Sequence, residues 1–403
     1  MIDVKYINND PNLGIEIDWD IVKKEFRKLK VPKEFPDLFY NVDFSKIGYY
    51  IGLSDRSRAK TTNLLLYGLI LYKLYGIQLQ YLRQTKNMVE PKMIRNLYST
   101  VREHGYIAKI FDNEYTDIFY LGKRWYLCCY DENGEIIRKS SEHVTMCIGL
   151  DENEELKSVY NAPRGDIIFL DEFISSFYGY NDFVRFADIC KTIIRDRISP
   201  QIFLMANTID INSPWFDEMG IRQYVEAMVQ GDSKYIETDY GTHIFLAILE
   251  KNISEQRFKV NRKFFGFKNP KLASITGKGG WAVESYPHIG KQKDGEYKIL
   301  QDCVYIKFAE KFVKLKLVQD TNRGLCVWVH PATPPKRDDS IILTCEEITE
   351  PNQIFGVAKD TNLYKIYFGL YKQNKFFYSR NSEGAFVHSY LSYYQTMRRE
   401  KYY

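Results

Sequence analysis

The sequence predicts an α/β fold built on a mainly parallel sheet, followed by a smaller α+β domain that opens with antiparallel strands. Three observations carry this. Between Ile47 and Gly76 a β-prone run (Ile47–Gly52), a polar loop (Ser54–Ala59) and an apolar helix opening at Lys60-Thr61-Thr62 follow one another. Downstream, Asp166–Glu172 (DIIFLDE) and Gln201–Asn207 (QIFLMAN) are largely apolar runs ending in polar residues, as in strands buried on both faces of a parallel sheet. Further on, Val304–Phe308, Phe312–Leu317 and Gly324–Val329 alternate like neighbouring antiparallel strands.

The remaining elements fit around these. Trp19–Phe26 reads as an amphipathic helix, and Pro32 and Pro36 break the pattern after it, so residues 1–46 form an N-terminal extension packed on the first domain. A second strand, Gln78–Arg83, precedes a helix whose apolar face is Met93, Ile94, Leu97 and Val101. Residues Ile118 to Ile137 form a hairpin signalled by Asn133-Gly134, inserted beside the core sheet. The expected plan is an extension (1–46), a nucleotide-binding domain (47–250), a basic linker (251–285) and a C-terminal domain (286–403).

Composition narrows the function classes. With 45% hydrophobic residues in 403, the chain has material for two buried cores. Its 56 basic and 52 acidic residues nearly balance, so any surface for a polyanion is local. Seven cysteines without a CxxC pair point to neither a disulfide framework nor a zinc site, and a reducing cytoplasm is expected. The longest apolar run, Leu64–Leu71, is about half a membrane span, and the start lacks the pattern of a signal peptide.

The chemistry concentrates in three places. A phosphate-binding loop needs backbone N–H groups at a helix N-terminus, a lysine for the β and γ phosphates and a Ser or Thr hydroxyl for Mg²⁺. The segment Ser54, Asp55, Arg56, Ser57, Arg58, Ala59, Lys60, Thr61, Thr62 supplies the lysine, the hydroxyls and the position, but Ser54 and Ala59 stand where glycines are expected. Capping a helix is the plain alternative for such a segment. Asp171 and Glu172 end an apolar strand as adjacent carboxylates, which suits Asp171 to hold Mg²⁺ and Glu172 to polarise an attacking water; a strand that simply exits into solvent would look similar. Asn207 ends the next strand, where its amide can sense a γ-phosphate or serve only as a turn residue. The helix between these strands ends Ile194-Arg195-Asp196-Arg197, and Arg195 is suited either to complement the helix dipole or to reach a neighbouring subunit's phosphate.

From Arg257 to Val283 the chain carries seven basic residues and no acids, interleaved with aromatics. Lys259, Arg262, Lys263, Lys268 and Lys271 are the candidates for contacts to DNA phosphates, the alternative being a solvated basic loop.

From about Ile47 to about Val357 the order of these motifs resembles the genome-packaging ATPases of small, short-tailed Picovirinae-type phages, relatives of large terminase subunits. Tyr81-Leu82-Arg83 resembles the family's arginine-containing strand and Leu170–Phe173 (LDEF) its Walker B motif. Arg195 looks like its arginine finger, and Met205-Ala206-Asn207 like its coupling motif. Arg56 stands where such loops carry an arginine, and Lys157 resembles a basic residue offered to the neighbouring subunit.

The resemblance implies an ASCE-type P-loop ATPase using ATP and Mg²⁺ and a C-terminal RNase H-like domain without nuclease acids. It further implies a homo-oligomeric, pentameric ring that drives double-stranded DNA through the capsid portal protein in the host cytoplasm, with a structural RNA as an open question. A P-loop helicase or recombination ATPase, and a non-catalytic DNA-binding portal protein, are the rival expectations.

Overall fold

The computed structural model describes residues 4–32, 37–54, 59–152, 154, 156, 164–174, 182–206, 213–249, 286–287, 296–308, 311–335, 339–345, 347–356 and 362–400. The chain divides into two compact units, one comprising residues 1–175, 181–209 and 219–252, the other 176–180, 210–218 and 253–403.

The first unit is organised by a ten-stranded sheet. Its strands are β1 (Tyr49–Leu53), β2 (Leu79–Arg83), β3 (Asp117–Leu121), β4 (Arg124–Tyr130), β5 (Ile136–Lys139), β6 (Thr145–Gly149), β7 (Ile167–Asp171), β8 (Gln201–Ala206), β9 (Ser233–Glu237) and β10 (His243–Ile248). They are ordered β3-β4-β6-β2-β7-β8-β1-β10-β9, with β5 beside β4. From β6 to β10 every pairing is parallel. The C-terminal ends of β1, β2, β7 and β8 therefore share one edge, where open parallel sheets bind ligands. Continuous apolar runs make this possible: all five residues of β7 and all six of β8 are buried.

Helix α1 (Trp19–Lys28) is capped by the Asp18 carboxylate, which accepts from the backbone of Asp20 and Ile21. Helix α2 (Lys60–Tyr75) is buried over most of its circumference and stops at Gly76, whose φ of +70° is the left-handed conformation that ends helices. The segment between them is knitted into the core. The Phe39 ring lies edge-on to Tyr50 of β1, Tyr67 of α2 and Phe203 of β8 at centroid distances of 4.9, 4.9 and 5.3 Å. Lys23, also buried, donates to the Val42 carbonyl at 2.7 Å.

Two sequence expectations are corrected here. The single helix expected over Met93–Val101 is instead a run of short helices, α3 (Pro91–Ile94), α4 (Ser99–Glu103) and α5 (Tyr106–Ile110). Ile94, Tyr98, Val101, Ile107 and Ile110 are buried while Met93 is 64% exposed, so breaking the helix turns a different set of residues inward. Tyr98 fixes the break through a buried hydroxyl contact of 2.6 Å with Thr145. The expected hairpin is two consecutive hairpins. Leu121 pairs with Arg124 across a Gly122-Lys123 turn, and β4 then turns back into β5 around Gly134 at φ +82°. β4 joins the parallel core through β6.

The second unit holds a six-stranded sheet ordered β15-β14-β11-β12-β13-β16. Its strands are β11 (Tyr297–Phe308), β12 (Lys311–Asp320), β13 (Gly324–Ala332), β14 (Ile341–Thr344), β15 (Gln353–Phe355) and β16 (Phe376–Tyr378). The first three form an antiparallel meander; β14 then adds parallel to β11 and β15 parallel to β14. An RNase H-like reading is compatible with this order. One face packs Val304, Ile306, Leu315, Val327 and Leu343 together with Phe386, Val387 and Tyr390 of the C-terminal helix Asn381–Glu400. Asp302 on β11 is paired with Lys314 at 3.2 Å.

Candidate functional site

The site lies on the sheet edge where β1, β2, β7 and β8 end. β1 hands the chain to Ser54, whose N–H donates to the Ala206 carbonyl at 3.2 Å and whose hydroxyl accepts from Lys60 Nζ at 2.6 Å. Lys60 as a residue is 4% exposed, so the fold keeps a buried lysine at the start of α2. Ala59 precedes the helix at φ +51°, the left-handed region that favours glycine. A side chain there costs on the order of 1 kcal/mol, so Ala59 holds a glycine-like backbone without being a glycine. Asn63, one turn along, donates its side-chain amide to the Ala59 carbonyl at 3.2 Å.

Opposite this helix end stands the acidic pair. Thr61 Oγ1 donates to Asp171 Oδ2 at 2.9 Å, joining the helix hydroxyl to the β7 carboxylate. The same oxygen accepts from the Tyr81 phenol at 2.9 Å and lies 3.5 Å from Arg83 Nη1. Arg83 also reaches the Tyr81 oxygen at 3.3 Å and donates to Glu172 Oε2 at 2.7 Å. Burial pushes the Asp171 carboxyl above the usual carboxylate value, while Arg83, Tyr81 and Thr61 pull it back. Glu172 itself has φ +57°, a strained turn leading the chain out of β7. Phe173 follows, fully buried; its N–H donates to the Met205 carbonyl at 3.1 Å, and its own carbonyl accepts from Gln84 Nε2 at 3.1 Å.

Of the residues singled out in the sequence, Ser54, Ala59, Lys60, Thr61, Asp171 and Glu172 are brought together, with Thr62 next on the first turn of α2. Arg195 is not among them. It is exposed just after helix α6 (Asp182–Ile194), on the segment leading into Gln201, which pairs with Ile167 at the opposite edge of the sheet. Arg197 of the same motif has a structural part: it lies 3.4 Å from the buried Asp166 and donates to the carbonyls of Ile193 and Ile194, capping α6. Arg56, Ser57, Arg58, Lys157, Asn207 and the linker residues Lys259, Arg262, Lys263, Lys268 and Lys271 lie outside the described residues. In the sequence Tyr81 and Arg83 stood out only as part of a strand resembling an arginine-containing motif, without a stated role, and Gln84 did not stand out at all. The signal was present, since β2, like β7, is an apolar strand that finishes in polar residues, and Tyr81 and Arg83 share a face by strand alternation.

Two oxygens, a threonine hydroxyl and a carboxylate, meet beside a lysine at a helix N-terminus. This is the donor set that P-loop enzymes present to Mg²⁺ and to the β and γ phosphates, with the remaining metal positions left to phosphate and water.

No protein-family model matches the sequence, nor does any curated protein. Among solved structures, the phi28 gp11 DNA packaging motor superposes with a TM-score of 0.51 at 15% identity, over 90% of this chain and 97% of that one. The bacteriophage phi29 viral genome packaging motor assembly gives 0.52 at 14% identity, over 89% and 100%. At these identities the likeness is one of fold. It covers nearly the whole chain. Among the described residues, no helix is long and apolar enough to cross a membrane.

Proposed function

We propose that this chain is an ATP-hydrolysing motor that moves double-stranded DNA into a viral capsid. The observation that carries the reading is the meeting of Lys60, Thr61, Asp171 and Glu172 at one sheet edge, linked by the 2.9 Å bond from Thr61 to Asp171. The fold shared with two DNA packaging motors supports the assignment to packaging.

In this reading Lys60 leaves Ser54 to neutralise the β and γ phosphates of ATP, and the N–H groups opening α2 hold phosphate oxygens. Thr61 and Asp171 would hold Mg²⁺, which when bound neutralises charge developing on the phosphates. Glu172 orients and polarises the attacking water. Its Oε2 is bonded to Arg83, and in acting the carboxylate exchanges that bond for water. Arg195, on the opposite edge, would serve a neighbouring subunit rather than its own site, which favours a homo-oligomeric ring. Arg56, Asn207 and Lys157 keep the roles their motifs suggest: two at the phosphates, and one across the subunit boundary. The linker lysines and arginines would track DNA phosphates, with the capsid portal as the docking partner in the host cytoplasm.

The test is ATP turnover by the full-length chain with and without duplex DNA. Turnover stimulated by duplex, without strand separation, is expected, together with a loss of at least about a hundredfold in Glu172→Gln. Strand separation would favour a helicase. A Glu172→Gln protein as fast as wild type would remove this site from the reading, and a wild-type chain without turnover would leave only a DNA-binding role.

A further inference from the structure

We infer that Gln84 is a positioning residue for Glu172, its side-chain amide pinning the backbone turn that presents the glutamate. This rests on the ATPase reading above and adds a residue to it.

A non-glycine residue at φ +57° stays there only when its surroundings over-determine it. Here they do so from both sides. On the N-terminal side, Asp171 is locked in register with Met205. On the C-terminal side, the N–H of Phe173 is bound to the Met205 carbonyl at 3.1 Å, its ring is fully buried, and its carbonyl takes the Gln84 amide at 3.1 Å.

Gln84 directly follows Arg83, so consecutive residues at the end of β2 hold two parts of one turn. Arg83 holds the Glu172 carboxylate and Gln84 the carbonyl just beyond it. The two bonds differ in what turnover asks of them. Glu172 must give up Arg83 to reach a water, whereas the bond from Gln84 to the backbone can persist. Gln84 thus keeps the Glu172 Cα in place while its carboxylate swings, and the water is met at a fixed distance.

Steady-state ATPase assays of the full-length chain with duplex DNA test this, using Gln84→Glu, which removes the donor at equal size, and Gln84→Lys, which restores a donor of similar reach. Gln84→Glu should lower kcat by between about tenfold and a hundredfold. KM for ATP should stay within about twofold, since ground-state binding is untouched. Gln84→Lys should recover most of the lost rate. A Gln84→Glu protein with wild-type kcat, a loss appearing in KM instead, or a loss that lysine does not reverse would overturn the inference. A wild-type chain that hydrolyses no ATP, or a Glu172→Gln chain that matches it, would count against the ATPase reading itself.

Discussion

Replacing Tyr81 by Phe removes one oxygen from the centre of the site and little else. The ring is 2% exposed and stands edge-on to Phe169 at 5.4 Å, a contact that Phe retains. What goes is the 2.9 Å bond to Asp171 Oδ2 and the acceptor for Arg83 at 3.3 Å. A hydrogen bond to a buried charged group contributes about 1.5–3 kcal/mol. For a unit of this size that corresponds to a fall in Tm of roughly 3–12 °C.

The loss should depend on pH in a defined direction. Burial already holds the Asp171 carboxyl above its ordinary 3.8, and the Tyr81 bond is one of the groups lowering it, so without the phenol it rises further. The ionised form is therefore costlier in the variant. The destabilisation should be greatest above Asp171's raised pKa and shrink as the pH falls through it, where a protonated carboxyl no longer needs the donor. By the same sign, the acid limb of kcat/KM should move to higher pH. Thermal unfolding across a pH series, with ATPase profiles alongside, measures both. A variant whose Tm lies within about 1 °C of wild type at every pH, with a superimposable acid limb, would refute the placement of Tyr81 on Asp171.

Other perturbations follow from the same geometry. A Cβ on Gly52 of β1 would come 2.6 Å from the buried Met205 sulfur, so Gly52→Ala should destabilise by about 1–3 kcal/mol, read from urea midpoints. Burial and Arg124 hold the His143 imidazole down at about 4 from 6.5. It is neutral in the fold and charges in the unfolded chain, so its contribution is full above pH 6.5 and is lost as the pH falls toward about 4. His143→Gln should flatten that part of the stability profile, and an unchanged slope would contradict it. Arg195→Ala and Glu172→Gln chains, each inactive alone, should regain turnover when mixed, because an intact site in one subunit then meets an intact arginine in the next. Mixtures no more active than the sum of their parts would return Arg195 to a helix-capping role.

Much of this was legible in the sequence because it is local. DIIFLDE and QIFLMAN carry their burial and their polar ends within a few residues, and within them Ile167–Asp171 and Gln201–Ala206 are fully buried strands. The helix opening at Lys60 was equally readable, whereas the left-handed backbone at Ala59 was not, since alanine gives no sign of it. Arg83, Tyr81 and Gln84 were not, because they act on residues about 90 positions away. Their partners are set by β2 lying beside β7, a strand order that periodicity does not encode. The broken helix at 91–110 failed for a related reason: helical spacing favoured Met93, but the buried partner of Tyr98 is Thr145 on β6.

Phe39 touches rings on three separate elements, two of them strands that end at the edge where Lys60, Thr61 and Asp171 meet. Phe39 is therefore a keystone of the first unit's core, bracing β1, β8 and α2 at once. Removing its ring would open an aromatic void under α2 and loosen the footing of Lys60 and Thr61 at that helix's first turn.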